Sequence, residues 1–159
     1  MKENIKIGII GLGQRGDIML ENPIIPMMKN GAGIEIAAVC DLLPDRVTAA
    51  AEKLEKAGFT RPMEFTDYKE LLKIKELDAV YIAVSWEAHA EVAVAAMHAG
   101  KYVGLEAGGA YSVDDCCKLV RAYEETGTEL MLMENCCYGR RELMALNMAR
   151  KGVLGNIMH

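Results

Sequence analysis

The chain has 159 residues, of which 52% are hydrophobic and 26% are charged. This length and composition predict one folded domain with a sizeable core, and they exclude a disordered tail or a disulfide-stapled miniprotein. The net charge is −5 at pH 7. Because the sequence has no block rich in lysine and arginine, binding to nucleic acid has no electrostatic support.

The N-terminal residues and the cysteines bear on the cellular compartment. The first apolar run is interrupted by glycines, unlike the continuous apolar segment of a secretory signal, and no apolar run is long enough for a membrane span. Cys40 and the adjacent pairs Cys116-Cys117 and Cys136-Cys137 lack the spacing of zinc ligands or of a disulfide framework. We therefore predict a cytoplasmic protein with free thiols, no bound metal and no membrane partner.

Short apolar runs alternate with helical stretches along the chain. The predicted strands are short and often β-branched, which favours strands that are buried on both faces. They cover residues 5–10, 34–40, 63–65, 79–84, 102–105 and 129–133. The predicted helices cover residues 14–29, with a break at Pro23 and Pro26, and then 45–57, 68–73, 87–99 and 113–125.

Residues typical of helix ends support these boundaries. Pro44 suits a first helical turn, and Ser112 followed by Asp115 resembles a capping box. Glycines that suit a left-handed position follow three helices, at Gly58, Gly100 and Gly127. Repeated strand-helix-strand order implies right-handed crossovers. The predicted fold class is α/β, a doubly wound parallel sheet covered by helices on both faces.

A glycine-rich motif follows the first predicted strand and opens the first helix. It has the GxGxxG form, and Asp41 ends the second predicted strand, as a dinucleotide-binding site requires. In such a turn the first glycine allows a tight bend, the second lets a pyrophosphate approach, and the third permits close helix packing. The motif reads Gly11-Leu12-Gly13-Gln14-Arg15-Gly16. We predict a dinucleotide site, and the alternative is a strand-helix turn without a ligand.

Asp41 bears on the choice of dinucleotide. A carboxylate at this position accepts hydrogen bonds from the adenosine ribose and repels a 2′-phosphate, so the sequence favours NAD over NADP. Arg46 leaves NADP open as an alternative. Asp41 would also suit a helix-capping role before Pro44, and the two roles do not exclude each other.

Polar and aromatic residues follow the later predicted strands, where the ligands of open parallel sheets bind. Glu106 precedes the small-residue loop 107–110, which favours a hydroxyl-bearing partner for its carboxylate. Trp86 would equally suit packing, and His89 a surface or capping position. The candidate residues at these strand ends are Asp41, Ser85, Trp86, His89, Glu106, Asn135 and Tyr138.

The order of these motifs resembles the Gfo/Idh/MocA family of NAD(P)-dependent oxidoreductases. In most members a lysine follows the glutamate as Glu-Lys-Pro, whereas this chain reads Glu106-Ala107-Gly108. The segments 85–89, 106–116 and 131–140 resemble one branch of the family, the NAD-dependent glycosidases typified by α-N-acetylgalactosaminidase. The Met-Glu-Asn-Cys-Cys-Tyr run at 133–138 is its most specific motif.

The resemblance implies residue roles and a reaction. A hydride leaves C3 of the sugar, the ketone acidifies the C2 proton, the glycoside is eliminated, water adds and the hydride returns, so NAD is retained as a catalyst. Tyr138 would reach toward the sugar as the catalytic residue of this chain. Contacts with NAD would come from Gln14, Arg15, Asp41, the turn from Ser85 to His89, Glu106, Ala107 and Asn135.

The resemblance also implies a longer protein. We expect residues 1–150 to form the dinucleotide-binding domain and 151–159 to begin a second α/β domain that binds the glycoside, with His159 in its first strand. The isolated first domain would bind NAD without turnover, and its exposed edge strand favours dimerisation. The alternatives are a sugar or polyol dehydrogenase and a non-catalytic NAD-binding module that senses redox state through its vicinal cysteines.

Overall fold

The sheet is the centre of the fold in the computed structural model, which describes residues 4–158. Within these residues the strands are β1 (Ile5–Ile10), β2 (Ile34–Cys40), β3 (Met63–Phe65), β4 (Ala79–Ile82), β5 (Tyr102–Leu105) and β6 (Leu130–Leu132). All neighbouring strands are parallel, in the order β3-β2-β1-β4-β5-β6. This arrangement confirms the predicted doubly wound α/β class.

Helices connect the strands and cover the sheet. They are α1 (Gln14–Met19), α2 (Ile25–Lys29), α3 (Pro44–Lys56), α4 (Tyr68–Leu72), α5 (Trp86–His98), α6 (Val113–Thr126) and α7 (Arg140–Arg150). A 3-10 turn, Cys136–Tyr138, precedes α7. None of the helices in residues 4–158 combines the length and the hydrophobicity that a membrane span requires.

Each face of the sheet has its own core, because successive side chains along a strand point to opposite faces. On one face Ile9 and Val39 pack with Leu20 and Leu54 of the helices that follow β1 and β2. On the other face the strands pack against α4, α5 and α6, through Ile10, Ile82, Leu105, Leu71, Val92, Met97 and Ala122. Burial on both faces is the reason that the central strands are apolar throughout.

The helical segment after β1 differs from its prediction. The regular α-helix is interrupted at Pro23, as predicted, by a π-helical segment, Leu20–Ile24, that joins α1 to α2, whereas Pro26 lies within α2 and breaks nothing. Pro23 lacks an N–H and would collide with the carbonyl one turn earlier in a regular α-helix. The wider π turn accommodates it, and Pro26 lies in the first turn of α2, where a missing N–H costs little.

The predicted helix ends agree closely with the structure. Pro44 is the first residue of α3, and the Ser112 Oγ accepts a hydrogen bond from the Asp115 N–H at 3.1 Å at the start of α6. The left-handed residues predicted after three helices are confirmed, with φ of +92° at Gly58, +70° at Gly100 and +66° at Gly127. These caps explain where the connecting loops begin.

The end of the chain after β6 is the least packed region of the described residues. Met131 and Leu132 of β6 are exposed, as are Leu143 and Met144 of α7. The sequence prediction missed α7, whose residues are exposed or half-buried. Residues 151–158 form turns and loop, and the strand predicted at His159 lies outside the described residues.

Candidate cofactor site

The glycine-rich turn brings the main chain of β1 and α1 against the end of β4. Gly11 has φ of +94°, and a Cβ there would lie 2.5 Å from the Ala83 carbonyl oxygen. A Cβ on Gly16 would collide with the Gly11 carbonyl. At Gly13, in contrast, the nearest atom to an added Cβ would be the Arg46 Nη1 at 3.7 Å, so the space above the turn is open.

A crevice of about 680 Å³ lies beyond the carboxyl ends of β1, β2 and β4. The strand order reverses between β1 and β4, and open parallel sheets bind ligands at this point. Residues from all three strand ends line the crevice, among them Gly11, Gly13, Gln14, Arg15, Asp41 and Ser85. Six of the residues predicted to bind NAD therefore surround one cavity, and Gly16 lies buried beneath it.

Asp41 joins the glycine-rich turn to the loop after β2. Its buried carboxylate accepts a hydrogen bond from the Leu12 N–H at 2.7 Å through Oδ2 and from the Leu43 N–H at 3.0 Å through Oδ1. The Arg46 Nη1 lies 3.6 Å from Oδ1. Each carboxylate oxygen has two lone pairs, so Asp41 keeps acceptor capacity for a ligand hydroxyl.

The alternative helix-capping role of Asp41 does not match the structure. Leu43 is the N-cap residue of α3, and no side chain caps this helix. Asp41 instead holds two loops at the crevice through main-chain N–H groups, which is why the turn keeps its shape around a cavity.

Glu106 lies at the end of β5 with its carboxylate buried. Oε1 accepts the Tyr81 hydroxyl at 2.7 Å and lies 3.0 Å from the Arg15 Nε, while Oε2 accepts the Ala107 N–H at 3.1 Å. The sequence predicted a hydroxyl-bearing partner, and the structure supplies one from the protein itself, Tyr81. Sequence reasoning missed Tyr81; the available signal was a phenol inside an apolar strand, which needs a buried acceptor.

The protonation of Tyr81 and Arg15 follows from this contact. Burial raises the pKa of Tyr81, and the hydrogen bond and charge of Glu106 raise it further. For Arg15, partial burial acts to lower the pKa, but the hydrogen bond and charge of Glu106 outweigh it and raise the pKa above its ordinary value. Tyr81 therefore keeps its proton as a donor, and Arg15 stays a cation at the crevice.

His89 lies inside the protein beneath the turn between β4 and α5. Its side chain is 1% exposed, and Nε2 donates to the Val84 carbonyl at 3.1 Å, the only role that a carbonyl acceptor permits. Within the described residues Nδ1 has no hydrogen-bond partner. Burial lowers the pKa of His89, so the ring is neutral. The structure does not bring His89 to the surface of the crevice.

Trp86 covers the loop that follows Glu106. The indole is 60% exposed, and an added Cβ on Gly108, where φ is +101°, would lie 2.8 Å from its Nε1. Ala107 beside it is half-buried. The small residues of this loop therefore let the indole lie directly on the main chain.

The segment after β6 carries the remaining candidates, Asn135 and Tyr138, which are exposed. The Cys136 N–H donates to the Glu134 Oε1 at 2.7 Å. This hydrogen bond lowers the pKa of Glu134, and the charge of Arg15 adds to the effect. The segment therefore lies within electrostatic reach of Arg15.

All five cysteines are free, with Cys40 buried and the two pairs exposed. Hydrogen bonding to Glu134 raises the pKa of Cys136, which disfavours its reactive thiolate form. Among residues 4–158 no group of three or more His, Cys, Asp or Glu side chains is arranged to hold a metal ion.

The geometry defines a class of protein. A glycine-rich turn with open space above its second glycine, an acidic residue at the end of β2 and a crevice where the strand order reverses are the features of a dinucleotide-binding Rossmann domain. Residues 5–134 match the model of the Gfo/Idh/MocA oxidoreductase family with its NAD-binding Rossmann fold. The chain belongs to this family and carries its NAD-binding Rossmann domain.

Within this family, the sequence is similar to that of proteins named glycosyl hydrolase family 109. The chain is 40% identical over 161 residues to glycosyl hydrolase family 109 protein 1 of Bacteroides thetaiotaomicron, covering 99% of this chain and 33% of that protein. It is 37% identical over 162 residues to a glycosyl hydrolase family 109 protein of Streptomyces niveus, with coverage of 99% and 32%. The chain thus spans about a third of the length of these relatives.

Among solved structures, the fold is similar to that of the WlbA dehydrogenase from Bordetella pertussis in complex with NADH and UDP-GlcNAcA. The TM-score is 0.83 at 22% sequence identity, and the match covers 97% of this chain and 45% of that chain. At this identity the likeness establishes the fold.

Proposed function

We propose that this chain is the cofactor domain of an NAD-dependent glycosidase. The observation that carries the proposal is the identity of 36% to 40% with proteins named glycosyl hydrolase family 109, along almost the whole chain. These relatives are named as hydrolases, although the matching domain belongs to an oxidoreductase family. A hydrolase that holds a redox cofactor uses it as a catalyst, with no net oxidation.

The residues around the crevice fit an extended dinucleotide. Asp41 would meet the adenosine ribose, and Gly13 would leave the pyrophosphate room beside the first turn of α1. Arg15 and Ser85, which also line the crevice, would then lie toward the nicotinamide end. Asp41 and Arg15 are each fixed by buried contacts, so the site is largely formed before the cofactor binds.

The remaining site residues would act at the nicotinamide end of the cofactor. Trp86, Glu106, Ala107 and Asn135 would contact NAD, and Tyr138 would reach toward the sugar. His89 would act through the Val84 carbonyl, which it holds in place. When bound, NAD supplies the reversible acceptance of a hydride that a transient oxidation of the sugar at C3 needs.

The substrate would be held mainly by a second domain. Residues 1–150 would form the cofactor domain and 151–159 would begin the next, because the relatives are about three times as long as the matched segment. The exposed apolar residues of β6 and α7 support this division. The present chain alone would bind NAD without cleaving glycosides.

A dehydrogenase of sugars or polyols is the second candidate. The family description and the likeness to a solved dehydrogenase favour it. The two candidates differ in one measurable respect, since a dehydrogenase accumulates reduced cofactor whereas the glycosidase returns its hydride to the sugar.

The decisive experiment uses the full-length protein, purified without added cofactor. Aryl glycosides, beginning with N-acetylgalactosaminides, are supplied while aglycone release and nicotinamide absorbance are followed together. Release of aglycone without net NADH supports the glycosidase. If no aglycone is released from glycosides, but NADH forms from free sugars and added NAD, the protein is a dehydrogenase.

Two variants test whether the domain is catalytic at all. In a non-catalytic or redox-sensing module, Tyr138→Phe and Glu106→Gln would leave every activity of the full-length protein unchanged. We expect both to reduce glycoside cleavage, with exposed Tyr123→Phe as the unaffected control.

We also propose a cytoplasmic location. The five free cysteines, four of them exposed, favour a reducing compartment. Cell fractionation with an antibody to the protein would test the location, and recovery from an extracellular or periplasmic fraction would contradict it.

A further inference from the structure

Tyr81 is a buried polar group that the proposed function leaves without a role. Its side chain belongs to the core beneath the glycine-rich turn, in contact with the cluster that contains Ile9, Leu12 and Leu20. Close packing keeps the ring in one position. The hydroxyl is therefore presented to the Glu106 Oε1, 2.7 Å away, with little freedom to follow that carboxylate if it moves.

Because Glu106 is held by Tyr81, it limits the orientations that the Arg15 side chain can adopt. The carboxylate receives the Tyr81 hydroxyl from β4 and the N–H of the adjacent Ala107, and the Arg15 Nε lies 3.0 Å from the oxygen that Tyr81 also contacts. Side-chain conformers of Arg15 that break this contact leave a buried carboxylate without its cation, which is unfavourable. The Arg15 guanidinium is thus held on one side by the Glu106 carboxylate, whose own position is restrained by Tyr81.

Arg15 is the part of this chain of contacts that reaches the crevice. Its side chain is 44% exposed and lines the cavity next to Gly13 and Gln14. The guanidinium has five N–H groups, and the contact with Glu106 uses the one on Nε. The guanidinium also interacts directly with the Tyr81 hydroxyl, and the N–H groups on its exposed side can bind an anionic or hydroxyl-bearing ligand in a fixed orientation.

We propose that Tyr81 is a positioning residue for NAD binding, which acts through Glu106 to hold Arg15 in the orientation that meets the cofactor. This inference rests on the proposed placement of Arg15 beside NAD. A long side chain that is ordered only on binding weakens affinity. Loss of the Tyr81 hydroxyl would therefore weaken NAD binding although Tyr81 does not line the crevice.

The test is a double-mutant cycle on this chain, with NAD affinity measured by titration calorimetry. We expect Tyr81→Phe to raise the Kd for NAD about three- to tenfold, the range that corresponds to ordering one long side chain. Arg15→Met should raise it at least as much. In the Arg15→Met background Tyr81→Phe should have no further effect, because the residue that it positions is absent.

Controls separate this role from simple destabilisation. Tyr102→Phe removes a hydroxyl from an exposed side chain of the neighbouring strand and should leave the Kd unchanged. Chemical denaturation of each variant shows whether it is folded at the titration temperature, and Glu106→Gln should match the effect of Tyr81→Phe or exceed it.

The possible failures are distinguishable. An unchanged Kd in Tyr81→Phe, with a raised Kd in Arg15→Met, would overturn the role of Tyr81 while leaving the cofactor site intact. Additive effects of the two substitutions would also overturn it, because they would show that Tyr81 acts elsewhere. An unchanged Kd in Arg15→Met would instead contradict the proposed placement of Arg15.

Discussion

Two buried carboxylates, Asp41 and Glu106, lie on either side of the glycine-rich turn and are held in different ways. Asp41 is bound by two main-chain N–H groups, those of Leu12 and Leu43. Glu106 is bound mainly by side chains, the Tyr81 hydroxyl and the Arg15 guanidinium. The first carboxylate fixes the shape of loops, and the second fixes the direction of a cation. Loss of Asp41 should therefore affect folding, and loss of Glu106 should affect binding.

The largest effect is expected at Asp41. Asp41→Ala leaves the buried Leu12 N–H without an acceptor and should lower the free energy of unfolding by about 2–3 kcal/mol. Asp41→Asn keeps one acceptor oxygen and should cost less. Urea denaturation measures both, with the exposed Asp45→Ala in the same loop-helix region as the control. A cost for Asp41→Ala no greater than that of the control would show that Asp41 does not organise the turn.

The next largest effect is expected at Glu106. Glu106→Gln keeps the shape of the side chain but removes the charge that pairs with Arg15, so the Kd for NAD should rise about tenfold. The free energy of unfolding should change less than in Asp41→Ala. Calorimetric titration and denaturation of the same samples provide the comparison, with exposed Glu129→Gln as the matched variant. If Glu106→Gln lowers the free energy of unfolding more than Asp41→Ala does, the two carboxylates do not differ in the way proposed.

Arg46 bears on the preference of the site for NAD or NADP. Its guanidinium lies beside both Asp41 and Gly13, where it would soften the repulsion between a 2′-phosphate and Asp41. The unmodified chain should bind NAD more tightly than NADP. Arg46→Ala should widen this preference several-fold, and Asp41→Ala should narrow it. Competition titrations with both dinucleotides test this, and equal affinity for the two in the unmodified chain would contradict the assignment.

The smallest effect concerns His89, a buried polar residue of α5. Burial lowers the pKa of His89, whereas a histidine in the unfolded chain titrates near pH 6.5. Just below that pH the unfolded state therefore binds more protons than the folded state. The free energy of unfolding is highest above about pH 6.5 and decreases as the pH falls through the pKa of histidine in the unfolded chain. Denaturation midpoints between about pH 5 and 8 measure this dependence.

His89→Gln should flatten that part of the pH profile, because glutamine has no proton to gain. His98→Gln is the control, since His98 is exposed and lies 3.6 Å from Glu125. If the pH dependence of stability persists in His89→Gln and disappears in His98→Gln, it arises from His98, and the prediction for His89 is wrong.

The sequence predicted the parts of the fold that depend on local pattern. The bounds of β1, β2 and β5 follow from short apolar runs and agree with the structure, because these strands end at turn residues. β4 was predicted two residues too long, since Ala83 and Val84 are apolar but lie in the turn. α7 was missed because it does not pack against the sheet, so its apolar residues follow no core-facing pattern.

In the site, too, the sequence predicted the residues that belong to a local motif and missed the contacts between distant segments. Gly11, Gly13 and Asp41 were predicted because a motif of fixed spacing places them on one turn and one strand end. The contact of Tyr81, Glu106 and Arg15 joins three separate segments, and no spacing in the sequence specifies such a pairing. The burial of His89 also depends on how α5 packs, which the strand-end pattern does not reveal.

The position of Trp86 gives the protein an optical property. Trp86 is the single tryptophan of the chain; it lies on the Gly108 main chain and directly follows Ser85, which lines the crevice. Its emission overlaps the absorption of a reduced nicotinamide, so a cofactor docked nearby would receive its excitation energy. One residue thus reports, without a label, whether reduced cofactor is bound, and the loss of its emission measures how close the dihydronicotinamide lies.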